Sequence, residues 1–519
     1  MTKEKRFTVL IALIVALGGF LMGFDASVIS GVIKFIEPEF QLSKLELGWS
    51  VSSLTLTATL AMMVSGPLSD AIGRRKVLVY AAILFAISAI GSAVASSFII
   101  LVIARMVGGL GVGAALIIAP MYIAELAPAK IRGQMVSFNQ LNIVLGISVA
   151  FFTNYLILKL GQSDASWAQS LKFDVWNWRW MLGLEAIPAV LYFFFLFIVP
   201  ESPRWLVMKG KDEEALKIMI KASGEEEARI QLKAMHENAR LSTNKVKTPI
   251  RDLFKPVMRL VLTIGIVIAV LQQITGINSV FFYAPMIFEQ SGIGTDASFI
   301  QAILVGLTNL IFTIVAILLI DRFGRKPLLT IGVAGIAICM FILAAAFNSA
   351  TYRLTESSIS SLPLAIDKGA LNVISDQTFN SDVAFKEALV STIGSDKAKE
   401  FESSLITAAI DMNPVVILLG VLGFVASFAI SLGPVMWVLF SELFPNRIRG
   451  IAISFVGLIN SGVSFLVQLV FPWELTNLGS AGTFLIYGIF AALGLFFIIS
   501  KVPETKGKTL EELEILLVK

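Results

Sequence analysis

The chain has 519 residues, 56% hydrophobic and 15% charged, with a mean hydropathy of +0.83 and a formal net charge of +4. Soluble domains carry about 25% charged residues, so a water-soluble fold is excluded. The net charge is too small to imply nucleic acid as a partner, and its placement matters more than its size.

Runs of about 18 or more uncharged, mostly apolar residues read as membrane-spanning helices. Twelve are predicted, and the first six lie near 8–33, 47–69, 77–97, 99–123, 134–158 and 179–199. The first follows the basic start Met1–Arg6 and imitates a signal peptide. Its apolar stretch is too long and lacks a small-x-small cleavage pattern, so it is read as an uncleaved helix. It carries Asp25 in Gly-Phe-Asp-Ala-Ser, the fourth span carries Arg105 and the sixth carries Glu185. Each such charge costs roughly 2.5–3.5 kcal/mol on insertion scales and persists for function or as part of a pair. A carboxylate in that setting is disfavoured by burial and favoured by a positive neighbour. Balanced between the two, it can take up and release a proton.

Residues 201–256 join two halves. Leu216, Ile220, Ile230 and Met235 suit short amphipathic helices there, and His236 reads as a solvated helix residue. The second six spans lie near 258–288, 297–320, 327–348, 412–440, 451–473 and 481–500. The first of them holds Gln272-Gln273-Ile-Thr-Gly276-Ile-Asn278, and Asn309, Trp437 and Asn460 follow in later spans. Neutral amides with one indole suit an uncharged, polyhydroxylated ligand; an anionic one would call for a central Arg or Lys. The lone Cys339 allows no intrachain disulfide and reads as a packed core residue. Between 349 and 411 lies a polar stretch with nine acids and five bases, read as a partly ordered loop with one short helix near 380–404.

Three motifs occur twice. Glu-Leu-Ala-Pro-Ala-Lys-Ile-Arg-Gly at 125–133 returns as Glu-Leu-Phe-Pro-Asn-Arg-Ile-Arg-Gly at 442–450. Asp70-Ala-Ile-Gly-Arg74 returns as Asp321-Arg-Phe-Gly-Arg325, and Pro200-Glu-Ser as Pro503-Glu-Thr. The copies of the first pair are 317 residues apart and those of the second 251, so 66 extra residues enter the second half, where the 349–411 stretch stands. The expected fold is an all-α membrane protein of twelve transmembrane helices in two pseudo-symmetric six-helix bundles, an architecture of secondary transporters. Its parts are an N-terminal bundle over 1–200, a cytoplasmic helical linker over 201–256, a C-terminal bundle over 257–501 with a long extracytoplasmic loop at 349–411, and a cytoplasmic tail over 502–519. The short segments 70–76, 129–133, 321–326 and 445–450 carry ten Lys/Arg, whereas the opposite short loops carry none. The positive-inside rule then puts both termini in the cytoplasm of a multi-pass cell (inner) membrane protein. The acid–base sets Asp70/Arg74, Glu125/Arg132, Glu201/Arg204, Asp321/Arg325 and Glu442/Arg449 are read as gating residues at the cytoplasmic helix ends. A single exposed pair contributes about 0–1 kcal/mol, so only a repeated network could gate.

The chain resembles the sugar porters of the major facilitator superfamily over essentially its whole length except 349–411. The resemblance rests on Gly-Arg-Arg-Lys at 73–76, Pro-Glu-Ser-Pro-Arg-Trp-Leu at 200–206, Gln-Gln-x-x-Gly-x-Asn at 272–278, Gly-Arg-Lys at 324–326 and Pro-Glu-Thr-Lys-Gly at 503–507. Pro-Met-Tyr-Ile-Ala-Glu-Leu-Ala-Pro at 120–128 and Ser-Phe-Asn-Gln at 137–140 look most like the bacterial proton-coupled pentose and hexose symporters. The resemblance implies that Asp25 carries the proton with Arg105 as its partner and Glu185 close by. It implies that Gln140, Gln272, Gln273, Asn278, Asn309, Trp437 and Asn460 bind sugar. Positions that are polar or aromatic in relatives fall on Ile147, Phe282 and Ser461 here, which bears on which sugar is preferred. The expected function is import of a monosaccharide with a proton by alternating access, in a lipid bilayer, by a monomer without cofactor or metal. An uncoupled or Na⁺-coupled transporter of the same fold is the alternative. A non-transporting sugar receptor would need an output domain, a drug antiporter lacks the amide-rich seventh span, and no nucleophile–base set supports an enzyme.

Overall fold

The computed structural model describes residues 3–128, 131–242, 250–363, 365–445, 448–508 and 512–513; the side chains of 238–242 and Asp321 lie outside the described residues. Eleven of the described helices are long and apolar enough to cross a membrane, from Lys3–Glu39 to Gly479–Lys501. The sixth expected span is present but interrupted. Its helices Asn177–Gly183 and Ala186–Phe195 meet at Leu184 and Glu185. Pro188 is the cause: it has no N–H to give the carbonyl of Leu184 and its ring crowds that oxygen. Glu185 therefore sits at a local break in the helix.

The chain divides into two compact units. One comprises Met1–Val28, Ser53–Ala150 and Arg179–Pro249; the other comprises Ile29–Ser52, Phe151–Trp178 and Ile250–Lys519. The first unit is built around Phe85, Tyr122, Tyr192 and the small residues between them. A Cβ on Gly109 or Gly113 would overlap the backbone of Leu54 or Ala58, so these helices meet backbone to backbone, as small residues permit inside a membrane. Residues 201–242 fold against this unit. Helices Asp212–Ser223 and Glu225–Ser242 share a small core of Leu206, Ala215, Met219 and Ala228. Leu216, Ile220 and Met235 pack on it as expected, whereas Ile230 faces out. Ala228, two residues earlier, takes the buried position. His236 pairs with Asp212 at 3.0 Å on the exposed side.

The second unit gathers segments from both sequence halves. Lys34 pairs with Glu289 at 2.5 Å and also donates to Thr295. Lys159 pairs with Asp296 at 2.5 Å, and Trp49 packs edge-on against Phe465. The 349–411 stretch differs from expectation. It is a folded subdomain with a three-stranded antiparallel sheet, β1 (Thr351–Arg353) flanked by β2 (Thr378–Phe379) and β3 (Ile410–Asp411). Several short helices cover it, and its own core includes Tyr352 stacked on Phe385 with Leu371 and Leu405. Strands of two or three residues leave no readable alternation, and for that reason the sequence looked irregular.

Two polar anchors tie this subdomain down. Asp382 accepts from the backbone N–H and hydroxyl of Ser480 at 3.0 and 3.1 Å, capping the helix Gly479–Lys501 from outside its own chain segment. Glu402 pairs with Lys386 at 2.9 Å and accepts from Gln290 at 3.2 Å. Burial pushes the Glu402 carboxyl up. The charges of Lys386 and Lys44, with hydrogen bonds from Lys386 and Gln290, outweigh this and hold it at about 2 against an ordinary 4.5. Its stabilising contribution is therefore complete above about pH 4.5 and is lost as the pH falls towards 2. Glu402→Gln is expected to lower stability by about 1–3 kcal/mol at neutral pH. In thermal unfolding in detergent, the gap between wild type and variant should narrow between pH 5 and pH 3.

Candidate transport site

Three elements of the site can be described, each within one unit. The first is the buried charge cluster. The helix Lys3–Glu39 presents Asp25 and the helix Phe98–Leu126 presents Arg105, both 1% exposed, with Arg105 Nη1 3.3 Å from Asp25 Oδ1. Asp25 Oδ2 faces Gly108 one turn along the same helix, where a Cβ would intrude. It has no hydrogen-bond partner among the described residues. Glu185, also 1% exposed, lies within electrostatic range of both Asp25 and Arg105 and has one oxygen, Oε1, without a partner among the described residues. Two carboxylates thus face one guanidinium. One proton on the trio restores charge balance without a further ion.

The second element is the amide network of the second unit. The seventh span breaks at Gly276, which adopts φ +89° between the helices Arg259–Ile274 and Ile277–Glu289. Only glycine takes this left-handed conformation without cost, and a Cβ there would overlap the Tyr487 ring. The break turns Asn278 back towards the residues before it. Asn278 Nδ2 donates to Gln273 Oε1 at 2.8 Å and to Ser464 Oγ at 2.6 Å. Gln273 Nε2 donates to Gln272 Oε1 at 3.2 Å and Asn460 Oδ1 at 3.1 Å. Asn460 Nδ2 donates to Gln272 Oε1 at 2.7 Å and to the Ala269 carbonyl at 2.9 Å, and Gln272 donates to the Leu432 carbonyl at 3.0 Å. Four of the expected sugar-binding residues are therefore one hydrogen-bonded set. Asn309 is buried on its own helix outside that set. Trp437 is 47% exposed and edge-packed on Phe440. Gln140 belongs to the first unit and is exposed. The sequence reading missed Ser464 and Gln468, which follow Asn460 at spacings of four along one helix. That spacing was the available signal.

The third element is the repeated cluster at the helix ends, where the three duplicated motifs converge. Arg74 holds Glu125 with Nε and Nη2 at 3.1 and 3.2 Å, and pairs with Asp70 at 2.8 Å. Glu201 accepts from the backbone N–H of Arg74 and Arg75 at 2.9 and 3.1 Å, and Ser202 donates to Glu125. In the second unit Arg325 holds Glu442 at 3.1 and 2.8 Å. Glu504 accepts from the N–H of Arg325 and Lys326 at 3.1 and 3.0 Å, and Thr505 donates to Glu442 at 2.6 Å. Glu201 and Glu504 are thus anionic caps on helix N-termini, where the exposed N–H groups favour negative charge. Asp70 and Arg74 pair as read in the sequence, whereas Glu125, Glu201 and Glu442 take other partners. The arginine of one motif holds the glutamate of the other, while Arg132 and Arg204 are exposed and Arg449 bonds the Phe444 carbonyl at 3.1 Å. Helix ends bring Arg74 and Glu125 together, a contact that linear spacing hides. The bonds named for each cluster lie within one unit, and the Asp321 side chain lies outside the described residues. Glu125→Gln and Glu442→Gln are each expected to cost about 1–3 kcal/mol by weakening a charged bidentate bond. The bonds given for the two clusters have no residue in common among the described residues, so the double variant should show the sum of the single losses in thermal unfolding.

A helical membrane protein with a buried acid–base trio and a neutral amide network is a polytopic transporter of small polar solutes. The chain belongs to the sugar (and other) transporter family, whose pattern matches residues 11–366 and 401–517. It is 35% identical over 513 residues to the arabinose-proton symporter of Bacillus subtilis, covering 99% of this chain and 96% of that protein. It is 36% identical over 539 residues to the D-xylose-proton symporter of Escherichia coli, covering 98% and 95%. Its structure matches a partially occluded inward-open conformation of the E. coli xylose transporter with a TM-score of 0.73 and 33% identity, over 97% of this chain and 100% of that one. A further match, with a TM-score of 0.69 and 35% identity over 99% of this chain and 100% of that one, is a major facilitator superfamily proton:xylose symporter bound to 6-bromo-6-deoxy-D-glucose.

Proposed function

We propose that this protein imports a monosaccharide, a pentose or hexose, together with a proton by alternating access. The observation that carries the proposal is the Asp25–Arg105 pair buried beside Glu185 in a chain that also holds a neutral amide network. Relatives named arabinose- and xylose-proton symporters support it. Asp25 is the proton carrier: its Oδ2 can accept a proton while Arg105 remains on Oδ1. Neutralising Asp25 leaves Arg105 to Glu185, so the trio changes its pairing with the proton. Gln272, Gln273, Asn278, Asn460, Asn309, Trp437 and Gln140 bind the sugar. Asp70, Arg74, Glu125, Arg132, Glu201, Arg204, Asp321, Arg325, Glu442 and Arg449 control helix-end movement in the cycle.

The Lys/Arg-rich short segments support cytoplasmic termini in a cell (inner) membrane. The halves 1–200 and 257–501, joined by 201–256, are the functional bundles, with 349–411 outside and 502–519 in the cytoplasm. The coupling trio and the amide network each come from this one chain, which supports a monomer as the working unit. Uptake of labelled D-xylose, L-arabinose and D-glucose into proteoliposomes, with and without an inward proton gradient, tests the proposal. The gradient should drive at least one sugar above its external concentration; equal uptake with and without it would reduce the protein to a uniporter.

A further inference from the structure

The hydrogen-bond inventory of the amide network indicates which groups remain for a ligand. Gln273 and Asn460 spend both amide hydrogens on the network and the Ala269 carbonyl, and Gln272 donates one of its two to the Leu432 carbonyl. Asn278 spends both of its amide hydrogens, on Gln273 and Ser464, and its Oδ1 receives none among the described residues. Ser464 is 5% exposed and its Oγ accepts twice, from Asn278 at 2.6 Å and from Gln468 Nε2 at 2.8 Å. A serine hydroxyl has two acceptor sites and one donor. Both acceptor sites are filled, and the hydrogen has no acceptor among the described residues. Some other helix serines spend that hydrogen on the carbonyl one turn back, whereas Ser27, Ser30, Ser52, Ser53 and Ser92 have no partner among the described residues. Ser65, Ser148 and Ser431 donate to Ala61, Val144 and Ser427 at 2.6, 3.0 and 2.6 Å.

Besides the second amide hydrogen of Gln272, the network thus leaves a donor, Ser464 O–H, and an acceptor, Asn278 Oδ1, on two side chains already in contact. A sugar hydroxyl is itself one donor and one acceptor. We propose that Ser464 is a specificity-determining sugar contact: it donates to one ring hydroxyl while Asn278 accepts from that same hydroxyl. Gln468 is the positioning residue, since its amide fills the second lone pair of Ser464 and leaves the hydroxyl only its hydrogen to offer. The proposal rests on the sugar-transport reading above.

The test measures apparent affinity in proteoliposomes for D-xylose, L-arabinose and D-glucose and their monodeoxy analogues, with wild type, Ser464→Ala and Ser464→Thr. Losing one neutral hydrogen bond should weaken the parent sugar about three- to tenfold in Ser464→Ala. One deoxy analogue, lacking the hydroxyl that Ser464 reads, should bind wild type and Ser464→Ala alike. Every other analogue should keep the gap, and Ser464→Thr should recover the parent affinity. Where Ser464→Ala does not fold, Ser464→Cys, similar in shape and a poor donor, should show the same selective loss. An equal loss for every analogue would overturn the proposal, because the hydroxyl would then only prop Asn278; so would no loss at all. Failure of the wild type to take up any sugar overturns the transport reading itself and is seen without the variants.

Discussion

Asp25→Asn is expected to abolish uphill accumulation of sugar while sugar exchange across the membrane continues. The carboxylate is buried against Arg105 with one oxygen unpartnered among the described residues, so it has both a site for a proton and a reason to change partners when it takes one. The amide keeps the shape and holds a permanently neutral form, which removes the step the gradient acts on. One charge moved through 100 mV supplies about 2.3 kcal/mol, which at about 1.4 kcal/mol per tenfold sustains roughly a 50-fold gradient. The variant should fall from that order to an accumulation ratio of about one. Counterflow of labelled sugar against unlabelled sugar should persist, because the amides proposed to bind sugar, Gln272, Gln273, Asn278 and Asn460, belong to the other unit and keep their hydrogen bonds. Full accumulation by Asp25→Asn would end the assignment of Asp25 as proton carrier.

Gly276→Val should abolish transport of every sugar while leaving a folded protein. A left-handed backbone costs a non-glycine residue about 1–3 kcal/mol, and the added side chain must also displace the Tyr487 ring, an overpacking cost of about 1–3 kcal/mol. That energy is spent where Asn278 is aimed at Gln273 and Ser464, so the first thing lost is the geometry of the amide set. Gly462→Ala is the control, since nothing lies within 4 Å of a Cβ there. Substrate binding measured in detergent, with thermal unfolding alongside, separates loss of the site from loss of the fold.

The duplicated motifs announced two related halves because each copy keeps the same acids, arginine and proline. Their partners could not be read, since Arg74 and Glu125 are 51 residues apart and meet only when two helix ends come together. The looser Pro-Glu-Ser and Pro-Glu-Thr pair acquires its meaning the same way: Glu201 and Glu504 cap helices that begin at Arg74 and Arg325. Asp25, Arg105 and Glu185 stood out because charge inside an apolar run is costly, and the structure gathers all three. The amides stood out by type and position, with Ser464 missed because serine is common and inconspicuous in a helix. The 349–411 subdomain was illegible for a different reason. Its stability comes from a small core and from the Asp382 and Glu402 anchors, tertiary contacts that leave no periodic trace.

The claim that sugar and proton move together is tested most directly by recording internal pH in proteoliposomes loaded with a pH-sensitive dye. External sugar is added with no imposed gradient. Inward sugar movement should acidify the lumen, and the acidification should disappear in Asp25→Asn while labelled sugar still equilibrates. Sugar entry by the wild type with no change in internal pH would contradict the account.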